Sequence, residues 1–120
     1  MEAEVIKTFR FEAAHSLPNA PEGHKCRRLH GHNYRVDIHV TGPVDKRAGW
    51  VLDFGLIKKA VEPILAELDH RCLDETPGLA NSTSEQIARY LWERVATKLP
   101  GLSAVTVWET DDSRCVFRGK

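Results

Sequence analysis

The stretch "HNYRVDIHVTG", His32 to Gly42, alternates without a break. Tyr34, Val36, Ile38 and Val40 fall on one side, and Asn33, Arg35, Asp37 and His39 on the other. A period of two predicts a strand with one buried face. Upstream, Val5 to Ala13 alternates less cleanly, but Val5, Phe9 and Phe11 share a face and predict a first strand. Between the two lies "SLPNAPEGHKCRR", whose prolines and glycine predict an irregular loop. "GPVDKRAG" reads as a turn and Trp50–Leu52 as a short third strand. At Asp53, a good helix N-cap, the period changes. Phe54, Ile57, Val61, Ile64, Leu65 and Leu68 recur at three- and four-residue spacing and predict a helix ending at Asp69 and His70. Pro63 removes an amide donor inside it and is expected to kink it. A second helix starts near "STSEQ", where Ser82/Glu85 and Thr83/Gln86 both have capping-box spacing, and its apolar stripe is Ile87, Leu91 and Val95. "SAVTVWET" and "RCVFRG" are two further strands around a turn at "DDS". Strands on either side of grouped helices predict one α+β domain over 1–120, built on an antiparallel sheet.

Composition narrows the functional classes. Seventeen basic and seventeen acidic residues cancel, so no charge excess points to nucleic acid or an anionic membrane. "MEAEVIKTFRF" lacks the apolar core of a signal peptide, and no apolar run approaches the ~20 residues of a membrane span. Three cysteines at irregular spacing argue against a disulfide framework and for a reducing compartment, so the expected location is the cytoplasm. Cys72 and Cys115 read as small buried hydrophobes.

The chemistry gathers in "CRRLHGHNY". His30 and His32 are two apart at a strand start, hence on one face. Gly31 between them lets the backbone turn. A catalytic zinc commonly has three protein ligands, and His15, at the end of the first strand, is the natural third if the two strands pair antiparallel. His24 lies in a loop and His39 on the opposite face, so neither is a candidate. Cys26 is either a fourth ligand, closing a Cys/His₃ structural site, or a free thiol made reactive by Lys25, Arg27 and Arg28. Asp69 and His70 form either a proton-relay pair or an ordinary helix end, where histidine is favoured by the dipole. Glu109 shares the face of Val105 and Val107 and therefore points inward; a buried carboxylate is costly unless paired, which makes it a functional candidate.

"FEAAH", "GHKCRRLHGHNY", "GWVLDF", "LDH", "NSTSE" and "VTVWET", in this order and spacing, resemble the 6-pyruvoyl-tetrahydropterin synthase family over essentially the whole chain. The short form with "PEGHKC" is most similar to the bacterial branch that makes 6-carboxytetrahydropterin for queuosine and other 7-deazaguanines. The resemblance implies a tunnelling fold (T-fold): an antiparallel sheet with two helices on one face, whose copies close into a β-barrel and stack as a homohexamer. It implies Zn²⁺ on His15, His30 and His32, Cys26 as proton acceptor, and an Asp69–His70 relay supplied by a neighbouring chain. Glu109 would belong to that relay and anchor the pterin, with Thr83 and Ser84 nearby. Ser82 departs from the proline more usual in that motif. The implied reaction converts 7,8-dihydroneopterin triphosphate to 6-carboxytetrahydropterin, acetaldehyde and triphosphate. Lys25, Arg27 and Arg28 are candidates to hold the triphosphate. The alternatives are 6-pyruvoyl-tetrahydropterin synthesis, without carbon–carbon cleavage, and a non-catalytic zinc module with Cys26 as fourth ligand.

Overall fold

Two fourteen-residue strands carry the molecule, β1 (Glu2–His15) and β2 (His30–Pro43). The computed structural model covers Met1–Lys120. The strands pair antiparallel over their full length, from Glu2 opposite Pro43 to His15 opposite His30. Both run beyond the predicted limits, because the alternation weakens at their ends while the ladder continues. β4 (Leu102–Thr110) adds antiparallel to β2, and β5 (Ser113–Phe117) to β4. The fifth strand is β3, the two residues Arg71–Cys72, which pairs parallel to β1 at Ala13 and Ala14. The sheet order is β3-β1-β2-β4-β5.

Trp50–Leu52 is not a strand. It forms bends before the helix, with Trp50 about half exposed and no neighbouring strand to pair with. The observed order is therefore β, β, α, β, α, β, β. Helix α1 spans Phe54–Ala66, and Asp53 caps it by accepting from the Gly55 amide at 2.8 Å. It continues through Pro63 but stops before the predicted end. Asp69 and His70 lie in the turn beyond it, and His70 is the only non-glycine residue with positive φ, at 58°. Helix α2 spans Ser84–Val95. Of the two capping-box candidates the structure uses Thr83, whose hydroxyl accepts from the Gln86 amide.

Both helices lie on the Tyr34 side of the sheet. Ile57, Val61, Ile64 and Leu65 from α1 and Ile87, Leu91 and Val95 from α2 join Phe11, Tyr34, Val36, Ile38, Val105 and Val107 in one apolar core. Each such side chain contributes about 1.5–3 kcal/mol on burial. Phe54, counted in the predicted stripe, is instead about half exposed. The cysteines are unpaired, and Cys72 and Cys115 are partly rather than fully buried. No helix is long and apolar enough to cross a membrane.

Candidate metal centre and active site

Register brings the histidines together. His15 and His30 are direct cross-strand partners at the open end of the β1–β2 ladder, and His32 lies two residues along β2 on the same face. Gly31 does not turn the chain; it sits in regular strand opposite Ala14. Glu109 arrives from β4 through a bulge. Trp108 pairs with Arg114 and Thr110 with Ser113, so Glu109 has no partner on β5. Bulges of this kind re-aim side chains beside active sites. One nitrogen of each histidine and one oxygen of Glu109 lie within 4.8 Å of one another.

The outer nitrogens are anchored. His15 Nδ1 donates to the Ser82 carbonyl oxygen at 2.9 Å and has the Ser82 hydroxyl at 3.1 Å. His30 Nδ1 donates to the Arg28 carbonyl at 2.7 Å. With their protons on Nδ1, both rings present bare Nε2 lone pairs, and these face each other across 3.1 Å. His32 Nε2 is buried without a hydrogen-bond partner; the Glu109 Oε1 lies 3.0 Å away, but not in hydrogen-bonding geometry. Glu109 Oε1 is also 3.5 Å from His15 Nε2. Lone pairs aimed at a common point, with no protons between them, fit a bound cation, and imidazole nitrogens with carboxylate oxygen suit a first-row divalent metal. Carbonyls that fix the far side of a ligand ring are a usual feature of such centres.

Electrostatics agree. Burial lowers the His32 pKa, helped by His15 and His30 and opposed by Glu109, so the ring is neutral and able to ligate. The adjoining His15 ring, above all, holds the Glu109 carboxyl below the usual carboxylate range against the opposing effect of burial. Tyr34 stacks on Phe11 with centroids 4.8 Å apart, and its hydroxyl reaches the His15 ring at 3.2–3.3 Å. Burial pushes that phenol far above its ordinary value, so it stays protonated.

Cys26 stands apart from the four converging donors, which removes the closed Cys/His₃ arrangement from this geometry. It lines a cavity with Lys25, Arg28, His30, His32 and Glu109. Lys25–Arg27 form one 3-10 turn, capped by His24, whose Nδ1 accepts from the Cys26 amide at 3.1 Å. Of the three basic residues, Lys25 and Arg28 face the cavity, while Arg27 donates to the Ala20 carbonyl.

Asp69 and His70 occupy a different place. Asp69 Oδ1 accepts from the Glu12 amide at 2.9 Å and sits 3.0 Å from His70 Nδ1. The His70 amide donates back to the Glu12 carbonyl. The Glu12 amide, then His70, hold the Asp69 carboxyl below its ordinary value. His70 opens onto a second cavity beside Glu12, Gly31, His32 and Arg71, which Cys26 does not line. Thr83 is occupied as a helix cap, and neither it nor Ser84 lines these two cavities. His39 is engaged on the opposite face, with Glu4 and Thr106.

Three supporting residues escaped the sequence reading. Ser82, a capping-box candidate and a departure from the usual proline, instead holds His15. Tyr34 was read as core alone. Asp74 accepts from the Ser16 amide and hydroxyl, locking the chain just past His15. Only Ser82 carried a signal, through its place beside a helix cap.

The chain matches the model of the 6-pyruvoyl tetrahydropterin synthase family over residues 4–120, and it belongs to that family. It is 40% identical to a 6-carboxy-5,6,7,8-tetrahydropterin synthase of Synechocystis over 88% of this chain and 85% of the relative. It is 35% identical to a dihydroneopterin monophosphate aldolase of Pyrococcus furiosus over 93% and 94%. The fold superposes on the 6-pyruvoyl tetrahydropterin synthase of Caenorhabditis elegans with TM-score 0.91 and 30% identity, covering 100% of this chain and 97% of that one.

Proposed function

We propose that the chain is a zinc-dependent lyase that converts 7,8-dihydroneopterin triphosphate to 6-carboxy-5,6,7,8-tetrahydropterin, releasing acetaldehyde and triphosphate, in cytoplasmic queuosine biosynthesis. The observation that carries this reading is the cavity in which Cys26 faces His30, His32 and Glu109 without joining the metal donors. A thiol that is not a ligand is free to move a proton. The relative in Synechocystis favours the carboxy product.

His15, His30 and His32 would hold the metal. Bound there, zinc supplies Lewis-acid polarisation of side-chain hydroxyls and lowers their pKa. Cys26 takes a carbon-bound proton as general base. Both short contacts of Glu109 use Oε1, which leaves Oε2 to accept from the pterin ring N–H and amino group. Lys25 and Arg28 hold the triphosphate; Thr83 and Ser84, which line neither cavity of the single chain, flank the pterin only where a neighbouring copy completes the site.

His70, oriented by Asp69, returns a proton. Its separation from Cys26 within one chain supports a site completed by a neighbouring copy, in a hexamer of two barrel-forming trimers. Incubation with dihydroneopterin triphosphate and product identification by mass tests the reaction. The expected products are 6-carboxytetrahydropterin and acetaldehyde. A 6-pyruvoyl product, or cleavage that accepts only the monophosphate, would replace this reading with one of the other two activities named among the relatives.

A further inference from the structure

The sheet face turned away from the helices carries a row of residues that the reaction above does not use. Arg10 on β1 pairs directly with Arg35 on β2, Arg35 with Trp108 on β4, and Trp108 with Arg114 on β5. Direct cross-strand partners share a face, so three arginines and an indole cross four strands in one line. Like charges placed opposite each other, as Arg10 and Arg35 are, disfavour the sheet unless something neutralises them.

The chain supplies little of that neutralisation. Asp37 is the one carboxylate paired with the row, and its donors occupy it. Thr8 Oγ1 donates to Oδ1 at 2.7 Å, Trp108 Nε1 to Oδ2 at 2.9 Å, and Arg35 through Nε and Nη2 at 3.2 and 3.3 Å. Arg10 and Arg114 make no ion pair. The same bonds make the row rigid: Arg35 is fixed by Asp37, and its guanidinium lies 4.6 Å from the Trp108 ring centroid. That of Arg114 lies 4.4 Å from it. Arg35 Nη1 and the whole Arg10 guanidinium remain free to donate. They open, with the Asn33 amide, into one cavity walled by Trp108 and Thr110, with the Asp111 carboxylate also lining it.

We infer that this cavity, around Arg10, Asn33 and Arg35, is a binding site for a phosphoanion, separate from the metal centre on the other face of the sheet. Planar guanidinium forks match phosphate oxygens two at a time, and the positions of these forks are set before the ligand arrives. The indole already packs against two arginines, which leaves it poorly placed to stack a base or pterin ring. The geometry therefore favours an inorganic phosphoanion over the phosphate tail of a ring-bearing compound.

The test is titration of the metal-loaded protein with inorganic pyrophosphate at low salt, followed by calorimetry and by Trp108 fluorescence, with a pterin phosphate in a parallel arm. Arg10 is exposed and its replacement leaves the Asp37 network intact. Arg10→Gln should weaken pyrophosphate binding roughly tenfold or more, the usual weight of a charge-assisted bond. Arg28→Gln removes a proposed triphosphate contact on the metal side and should leave the Arg10-dependent binding in place. Arg35→Lys keeps the charge but not the fork and should also weaken it. Equal affinity in wild type and Arg10→Gln, loss in Arg28→Gln instead, or no binding at low salt would each overturn the inference. Tighter binding of the pterin phosphate in the Arg10-dependent mode would overturn the preference for an inorganic ligand.

Discussion

Two histidine-bearing regions lie a few residues apart in space and are built on opposite terms. In the candidate metal centre, three strands deliver buried or half-buried side chains to one point, and carbonyls fix His15 and His30 from behind. At the Asp69–His70 turn, an exposed imidazole hangs on the rim of β1 in a left-handed conformation, between the carboxylates of Asp69 and Glu12 at 3.0 and 3.3 Å. The first region is complete within a single chain as a set of donors. The second is oriented, but the cavity it opens onto is not lined by Cys26. Sheet register can converge ligands without help, whereas a rim turn can only present a group outward to something that docks there.

The sharpest break of this comparison is His30→Ala. Without His30 the histidine set is incomplete, and Glu109 can replace the missing ligand only by giving up its place against the substrate, so metal affinity and turnover should be lost together. Stoichiometric zinc in the purified variant, measured by atomic absorption, would contradict the ligand set. Cys26→Ala should behave differently, with full zinc and turnover down by ~10²–10⁴, the weight of a positioned base. Loss of zinc in that variant would return Cys26 to the metal.

The outward-facing pair is tested by mixing. Cys26→Ala and His70→Ala, each inactive, are unfolded together in equal amounts and refolded. If neighbouring chains share a site, about a quarter of sites receive both intact residues, one half times one half, in a closed ring. Activity should recover to about that fraction. No recovery from correctly sized mixed oligomers would place both residues in one chain. A smaller effect is expected at Ser82, which touches His15 by carbonyl and hydroxyl. Ser82→Ala leaves the carbonyl, so zinc affinity should fall by about tenfold, the low end for supporting partners of a ligand, in a chelator competition.

The open face offers a stability contrast. Burial is the largest single influence on Asp37 and would raise its pKa. The bonds from Trp108, Thr8 and Arg35, with the Arg35 charge, outweigh it and leave the carboxyl below its ordinary 3.8. A group depressed in the folded state contributes stability above its unfolded pKa and loses it as pH falls through the folded one. Chemical denaturation should therefore show stability falling as pH drops below about 4, less steeply in Asp37→Asn. An unchanged slope would mean Asp37 is not the group responsible.

What the sequence made legible follows the same division. Alternation along β2 and β4 puts His32 and Tyr34 on one face and Glu109 on the face of Val105 and Val107, because side chains two apart in a strand share a face; the bulge before Thr110 still leaves Glu109 among the histidines. His15 needed only the antiparallel pairing of the first two strands. β3 was invisible: two residues have no period, and the strand exists because His70 turns the chain back onto Glu12. Trp50–Leu52 showed the converse, strand-like residues with no edge to join. Ser82 and Asp74 act across 67 and 58 residues of chain, and local pattern cannot report such contacts.

The last prediction turns on the left-handed φ of His70. A residue with a Cβ pays roughly 1–2 kcal/mol to sit in that region, and glycine pays almost nothing. The exposed imidazole recovers little through its contacts with Asp69 and Glu12, since surface pairs are worth ~0–1 kcal/mol. Glycine's extra freedom in the unfolded chain offsets part of the gain. His70→Gly should therefore be as stable as wild type or more stable by up to about 1 kcal/mol in chemical denaturation, while losing turnover and keeping zinc. His30→Ala should show the opposite pairing, with metal and turnover lost together. A His70→Gly protein that is clearly destabilised would show that the imidazole holds the turn together. A stable and fully active one would remove His70 from the reaction.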